Sequence, residues 1–381
     1  MIHYPTQLFR PLRKSLSWLI AIASLTGTLC AEVMVLDLPL ERQVFQRNSE
    51  DSSEVKITGT ASTEATIIEA KATLGEGLRG KDRDWVVVAQ GDQIKEGKFN
   101  GSIKLLTGGW YSLTVRSRKS AEPSAVLHEV TINQVGVGDI FITAGQSNSI
   151  NFGHPRQKSI ETLAVYFDGK KFRDASDPMP SATGNGGTPW PILGDLISRT
   201  TRAPVCFYSA TVNWLRVQYW IPGANSKNIE RLVERAKWFG PHGFRAVLWV
   251  QGEADADGAP STATTAQAYE RDAQAMIEFS RAQLGWKVDW FVAGNSYIPP
   301  KGSEDWKPSI AAILSAQKSL WDKGIAFRGP DTNDLVGSKD YRHDTIHFGQ
   351  RGLTVHAERW FVALASHYQW ANPVSSVISR P

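Results

Sequence analysis

From about Val33 to Gln134, apolar and polar residues alternate in short runs, the period of half-buried strands. Residues 55–59 and 85–89 alternate, as do 65–74 more loosely, and the runs 110–116 and 125–132 follow. Gly-, Asp- and Ser-bearing turns separate them, and no helical period intervenes. The spacing predicts a small all-β sandwich of about 100 residues. After Val135 the texture changes. Residues 135–144, 205–210, 246–250 and 288–293 are continuous apolar runs, as expected of strands buried on both faces. Helix-length segments alternate with them near 192–200, 226–238, 263–284, 309–322 and 353–368. That alternation predicts an α/β fold, a doubly wound parallel sheet, preceded by the sandwich. The expected division is 31–135 for the sandwich, 136–372 for the α/β domain and 373–381 for a tail. The longest irregular stretch, 174–188, is expected at the surface. Its Gly184-Asn185-Gly186-Gly187 lacks the Lys-Ser/Thr of a phosphate loop. No internal repeat is present.

The first thirty residues are a separate object. Arg10, Arg13 and Lys14 precede an apolar run over 16–29, the pattern of a secretory signal peptide, and the run is too short for a comfortable membrane span. Gly27-Thr28-Leu29-Cys30 is a poor match to a lipoprotein box. The chain therefore reads as exported, to the periplasm or beyond. Removing that segment takes three basic side chains from a net charge of +4, which leaves about +1 and no basic stripe for nucleic acid. Only Cys206 then remains of the two cysteines, so no internal disulfide is expected, and the core must hold without one. The 14 tryptophans mildly favour carbohydrate contact, because an indole face is a common platform for a sugar ring.

Candidate chemistry gathers where polar residues break the apolar runs. Ser147 follows the run 135–144 directly, in Gly145-Gln146-Ser147-Asn148, at the strand edge where open α/β sheets carry their sites. Near the other end stands Asp344-Thr345-Ile346-His347. Its carboxylate can reach the Nδ1–H of His347 and leave Nε2 to take a proton from a serine. Two rival readings exist. Asp344 would cap the helix near 353 and His347 would be a satisfied surface residue, or His343 and His347 would bind zinc with Glu253 or Asp255 as a third ligand. A third polar break, Gln251-Gly252-Glu253-Ala254-Asp255, follows the run 246–250. Gln251 could donate its amide to a developing oxyanion and Glu253 could orient a neighbour, while Asp255 and Asp257 fit equally well as solvated acids of a turn.

Taken in order, these stretches resemble the SGNH-hydrolase superfamily, and within it the sialate O-acetylesterases and carbohydrate esterase family six. The matching segments are Val137-Gly138-Asp139 through Asn148, Pro189-Trp190-Pro191, Val217-Gln218-Tyr219-Trp220, Trp249 through Asp255, and Asp344-x-x-His347-Phe348. The resemblance implies an SGNH (flavodoxin-like) hydrolase domain and a serine esterase that removes acetyl groups from carbohydrates without metal or cofactor. Ser147 would be the nucleophile, His347 the base and then the acid, and Asp344 its orienting partner. The Ser147 N–H and the Gln251 amide would stabilise the oxyanion, with Glu253 in support. One segment departs from the family. A Gly-rich stretch that donates an N–H to the oxyanion is replaced by Val212-Asn213-Trp214-Leu215-Arg216, so Asn213 and Trp214 stand at the expected donor loop. Val250 and Ala254 also replace the usual His and Ser. The resemblance therefore leaves room for a catalytically impaired, carbohydrate-binding homologue. The expected partner is an O-acetylated carbohydrate, with no nucleic acid and no membrane span in the mature chain.

Overall fold

The computed structural model describes residues 34–122, 125–223, 226–299 and 306–370; the expected signal peptide and tail lie outside the described residues. The chain opens with β1 (Val35–Leu38), β2 (Val44–Gln46), β3 (Ser52–Thr60), β4 (Ile67–Leu74), β5 (Arg83–Gln90), β6 (Lys98–Leu106) and β7 (Gly108–Arg118). Strands β1, β3 and β6 make one antiparallel sheet. A second antiparallel ladder runs β5, β4, β7 and on into β8 (Val126–Gly145). Alternation decides the packing. Val55 and Ile57 point inward from β3 while Glu54 and Lys56 face out. The inward residues meet Ile68, Leu113 and Val115 of the second ladder in one apolar core with Phe99 and Ile103.

Strand β8 is 20 residues long and belongs to both halves of the fold. Its first part pairs with β7, and from Asp139 onward it becomes a member of a parallel sheet. The division expected after residue 135 thus falls inside one continuous strand. The remaining elements are β9 (Ala164–Phe167), β10 (Phe172–Asp174), α1 (Trp190–Thr201), β11 (Val205–Ser209), α2 (Lys227–Lys237), β12 (Ala246–Val250), α3 (Glu253–Ala256), α4 (Ala266–Leu284), β13 (Asp289–Gly294), α5 (Lys307–Asp322), β14 (Phe327–Asp331) and α6 (Gln350–Tyr368). The strand order is β10-β9-β11-β8-β12-β13-β14, and every neighbouring pair except β10–β9 is parallel.

The two faces of this sheet are both buried, which is why its strands read as unbroken apolar runs. Ile140, Ile142 and Ala144 of β8 pack with Leu232 of α2, Met276 of α4 and Leu320 of α5. Phe141 points the other way, to Trp190 and Leu193 of α1 and Trp360 and Leu364 of α6. The strand ends Gly145 and Val250 are in register, so the segments that follow β8 and β12 leave from the same edge.

The irregular stretch 174–188 is not a simple surface loop. Ala175, Asp177, Met179 and Thr188 are buried. Asp177 accepts from the N–H groups of Gln157 (3.0 Å) and Thr188 (2.7 Å) and from the Tyr166 hydroxyl (3.0 Å). Burial nevertheless raises its carboxyl to about 6. Asn151 clamps the main chain of Met179, accepting from its N–H at 2.6 Å and donating to its carbonyl at 2.9 Å. The stretch is therefore docked on the segment that follows Ser147.

Candidate active site

Ser147 is set by the end of β8. Gly145 has φ 125°, and a Cβ there would lie 2.0 Å from the Val250 carbonyl oxygen, so only glycine lets the two strand ends close up. The Gln146 N–H then bonds to that same carbonyl at 2.9 Å, and residues Ser147–Ser149 form one 3-10 turn. Trp190 of α1 holds the turn from beneath through its indole N–H to the Ser149 carbonyl (2.8 Å). Ser147 is buried, and its Oγ has no hydrogen-bond partner. An unpaired buried hydroxyl at a strand tip is costly unless a ligand or a catalytic partner completes it.

Asp344 and His347 stand on a tight turn. Arg342 and Phe348 are bridged, and the His343 N–H donates to the His347 carbonyl at 2.9 Å, closing the turn with Asp344, Thr345 and Ile346 at its tip. Asp344 Oδ1 accepts from the N–H groups of Ile346 (3.1 Å) and His347 (2.7 Å). Its Oδ2 accepts from His347 Nδ1 at 2.6 Å. Burial would raise the Asp344 carboxyl, but the bonds from the His347 ring and main chain outweigh it and hold the carboxyl below its usual value. An ionised Asp344 fixes the proton on Nδ1 and leaves His347 Nε2 free to act as a base. Asp344 does not cap α6; Gly349 occupies that position. Arg342 anchors the turn from below, donating to the carbonyls of Leu335 (2.9 Å), Thr332 (3.0 Å) and Ile346.

Asn148 ties the strand tip to this turn. Its Nδ2 donates to Glu253 Oε1 at 2.6 Å and to the Ile346 carbonyl at 3.2 Å. Phe152 also stacks on the His347 ring, with centroids 5.1 Å apart. The segments that carry Ser147 and His347 are thus joined through their sequence neighbours, although no hydrogen bond joins Ser147 Oγ to His347. Such bonds are commonly long before substrate enters and tighten afterwards.

Gln251 does not aim its amide into the site. Both Nε2 hydrogens are taken, one by the Leu215 carbonyl (3.0 Å) and one by Asp255. Asp255 is no solvated acid; it is fully buried and also accepts from the Val217 N–H (2.9 Å) and the Thr264 hydroxyl (2.7 Å). Burial raises its carboxyl despite those bonds. Together Gln251 and Asp255 grip both ends of the short stretch 215–217. Within the adjoining turn Asn213 is exposed, and Trp214 takes φ 47°, the left-handed region that favours glycine. Trp214 is 43% exposed, so much of its indole faces solvent. Glu253 is buried with Oε1 on Asn148, and its Oε2 is unpaired. Gln146 accepts from the Ala254 N–H (3.2 Å), which draws the start of α3 to the turn that carries Ser147.

Four contributors escaped the sequence reading: Asn148, Phe152, Gln146 and Arg342. Asn148 and Gln146 lay inside the matched motif, but nothing in the pattern distinguished their roles. Among the described residues, the group able to hold a metal ion is His343, Asp344 and His347, whose donor atoms lie within 4.8 Å of one another. Glu253 and Asp255, the acids expected to complete such a site, are held elsewhere by Asn148 and by Val217, Thr264 and Gln251.

The family described as carbohydrate esterase, sialic acid-specific acetylesterase, matches residues 137–350, more than half of the chain. No curated protein matches it. A carbohydrate acetylesterase from Xanthomonas citri has a similar structure over 87% of this chain and 74% of its own, with 18% identity and a TM-score of 0.53, a likeness of fold. A protein from Arabidopsis thaliana is similar over 61% of this chain and 97% of its own, at 17% identity and a TM-score of 0.44. An acetylxylan esterase from Geobacillus stearothermophilus covers 61% of this chain and 95% of its own, at 10% identity and a TM-score of 0.38.

Proposed function

The chain belongs to the carbohydrate esterases described as sialic acid-specific acetylesterases, and from that membership we propose that it is an exported serine esterase removing O-acetyl groups from carbohydrates through Ser147, His347 and Asp344. The observation that carries the reading is the 2.6 Å bond between His347 Nδ1 and Asp344, on a turn tied by Asn148 to the buried, unpaired Ser147 hydroxyl. His347 Nε2 takes the Ser147 proton as Oγ attacks the acetyl carbonyl. The tetrahedral intermediate collapses, His347 returns the proton to the departing sugar oxygen, and the acetyl group stays on Ser147. Water, deprotonated by His347, then releases acetate and restores the hydroxyl. No step calls for a metal or cofactor.

The Ser147 N–H, which no described group accepts, is the first oxyanion donor in this reading, and the main chain at Asn213 and Trp214 is the second. Gln251 supports that second donor indirectly, by fixing Leu215. The scaffold is read as an SGNH-type doubly wound sheet with a β-sandwich ahead of it. No described helix is long and apolar enough to cross a membrane.

The test is acetate release from a panel of O-acetylated sialosides and xylo-oligosaccharides. Ser147→Ala and His347→Ala are each expected to lower the rate by at least 1,000-fold with the fold intact. A Ser147→Ala variant that keeps full rate ends the proposal. A second reading, a carbohydrate-binding homologue with little activity, is favoured by the engaged Gln251 amide. Covalent labelling of Ser147 by an organophosphonate would reject it.

A further inference from the structure

We propose that His343, Asp344 and His347 bind one zinc-like divalent cation, and that its binding switches the esterase off by capturing the acid and the imidazole nitrogen that orient the base. The turn is built to present these groups. The His343 N–H to His347 carbonyl bond sets the two histidines side by side, with ring centroids 6.3 Å apart and planes inclined by 29°. Asp344 projects between them: its Oδ2 is 2.6 Å from His347 Nδ1 and 3.9 Å from His343 Nε2. A tetrahedral zinc ion with bonds of roughly 2.0–2.1 Å holds its ligands about 3.3 Å apart. The donor separations, from 2.6 Å to at most 4.8 Å, bracket that value, so shifts of about an ångström complete the site.

The chemistry selects the ion class. Two imidazoles and one carboxylate suit zinc and its first-row neighbours, whereas magnesium and calcium require mostly oxygen ligands. Access is open, since the Asp344 side chain is 43% exposed and His343 is 32% exposed, which leaves room for a water as fourth ligand. His154, tilted against His343 with centroids 5.6 Å apart, is a further imidazole beside the entry. Three of the chain's eight histidines thus stand in one row, His154 against His343 and His343 beside His347. His343 now bonds to the Phe152 carbonyl at 2.9 Å and has no part in the acyl-transfer steps, so it is the ligand that can be removed without touching them. Occupation replaces the His347–Asp344 hydrogen bond with two metal bonds. Metal on His347 Nδ1 and His343 Nε2 moves each ring's proton to its other nitrogen, so the His347 Nε2 that would take the Ser147 proton is already filled and the imidazole has lost its anchoring carboxylate.

The binding stands apart from the proposed activity, whereas the switching rests on it, and the experiment separates the two. Chelator-stripped protein is titrated with zinc by calorimetry, and acetate release is followed in parallel. The expected result is one zinc per chain, at least tenfold loss of rate on occupation, recovery with EDTA, and no response to millimolar magnesium or calcium. His343→Gln, whose amide can still reach the Phe152 carbonyl, is expected to keep the stripped rate and to need at least tenfold more zinc for both binding and inhibition. Absence of one-to-one binding overturns the site, as does equal zinc affinity in His343→Gln. Binding that leaves the rate unchanged or raises it overturns the switch. If the stripped wild type releases no acetate while zinc still binds through His343, it is the esterase reading that fails and not the site.

Discussion

Asn148 Nδ2 lies 2.6 Å from Glu253 Oε1, a buried bond between residues 105 positions apart that joins the tip of β8 to the start of α3. The same nitrogen reaches the Ile346 carbonyl, one residue before the imidazole. In the proposed mechanism Asn148 therefore sets the separation of Ser147 and His347 without touching the reacting atoms itself. A displacement near an ångström costs roughly 100-fold in rate where reacting groups must align. Asn148→Ala is expected to lower kcat by about 10- to 100-fold and to change KM by less than about threefold. Steady-state kinetics on an acetylated aryl ester would check this. A rise in KM at constant kcat would instead make Asn148 a substrate-binding group.

Trp214 offers a separate test of the altered donor loop. A non-glycine residue in the left-handed region costs about 1–2 kcal/mol, and this indole recovers little by packing because it is 43% exposed. Trp214→Gly is expected to raise stability by up to about 1 kcal/mol, the relief being offset in part by the freer unfolded chain. The main-chain N–H keeps its place, so kcat on a small aryl acetate is expected to stay within about threefold. On a glycan substrate KM should rise if the exposed ring supports a sugar. Urea unfolding and paired kinetics on the two substrates read both effects.

His356 makes the fold sensitive to acid. Its ring is fully buried on α6, Nε2 accepts from the Trp360 indole at 3.0 Å, and Nδ1 has no partner. Burial, together with Arg342 and Arg359 nearby, lowers its pKa to about 3 from 6.5. The folded chain thus holds the neutral ring. Its contribution is complete above about pH 6.5 and is lost as pH falls toward 3, at up to about 1.4 kcal/mol per unit. His356→Gln keeps an acceptor for Trp360 but cannot titrate. At pH 7.5 it is expected to melt below the wild type, and by pH 4.5 the gap should narrow or reverse. Melting curves at both values provide the check; a gap that is the same at both would assign the acid response to other groups.

The parallel sheet was legible because burial on both faces removes alternation, and the runs over 205–210, 246–250 and 288–293 became β11, β12 and β13 with ends within two residues. The five expected helices likewise became α1, α2, α4, α5 and α6. What the pattern hid follows from geometry. Strand β14 carries Gly329 and Pro330, so its apolar signal is broken, and it is the last strand of the sheet. The runs 125–132 and 135–144 read as two strands because Gln134 takes φ 57° and interrupts the period, yet β8 continues through it. At the site, Ser147, His347 and Asp344 were marked by their position after a strand and by their three-residue spacing. Gln251 was misread because an amide near a strand tip looks available until its acceptors, Leu215 and Asp255, are known. Those contacts depend on a loop that shows no periodicity at all.

Asp139 tests what joins the β-rich part to the parallel sheet. It is fully buried at the start of the parallel section of β8, where it accepts from Arg47 at 2.8 and 3.1 Å and from Arg245 at 2.7 Å. Arg47 lies just beyond β2 and Arg245 just ahead of β12, so one carboxylate links three segments. Burial would raise its pKa, but the two guanidiniums outweigh it and hold the carboxyl below the usual range. Its stabilising contribution is therefore present above about pH 4 and lost as pH falls through the lowered value. Asp139→Asn leaves two partly buried cations facing each other without a counter-charge. A loss of about 3–5 kcal/mol is expected, visible as a lower urea midpoint with an unchanged slope. Asp139 precedes Gly145 by six residues, about 20 Å of strand, so the molecules that remain folded should keep the wild-type kcat. A fall in kcat at saturating substrate, measured where the variant is fully folded, would mean that the base of β8 also sets the position of Ser147.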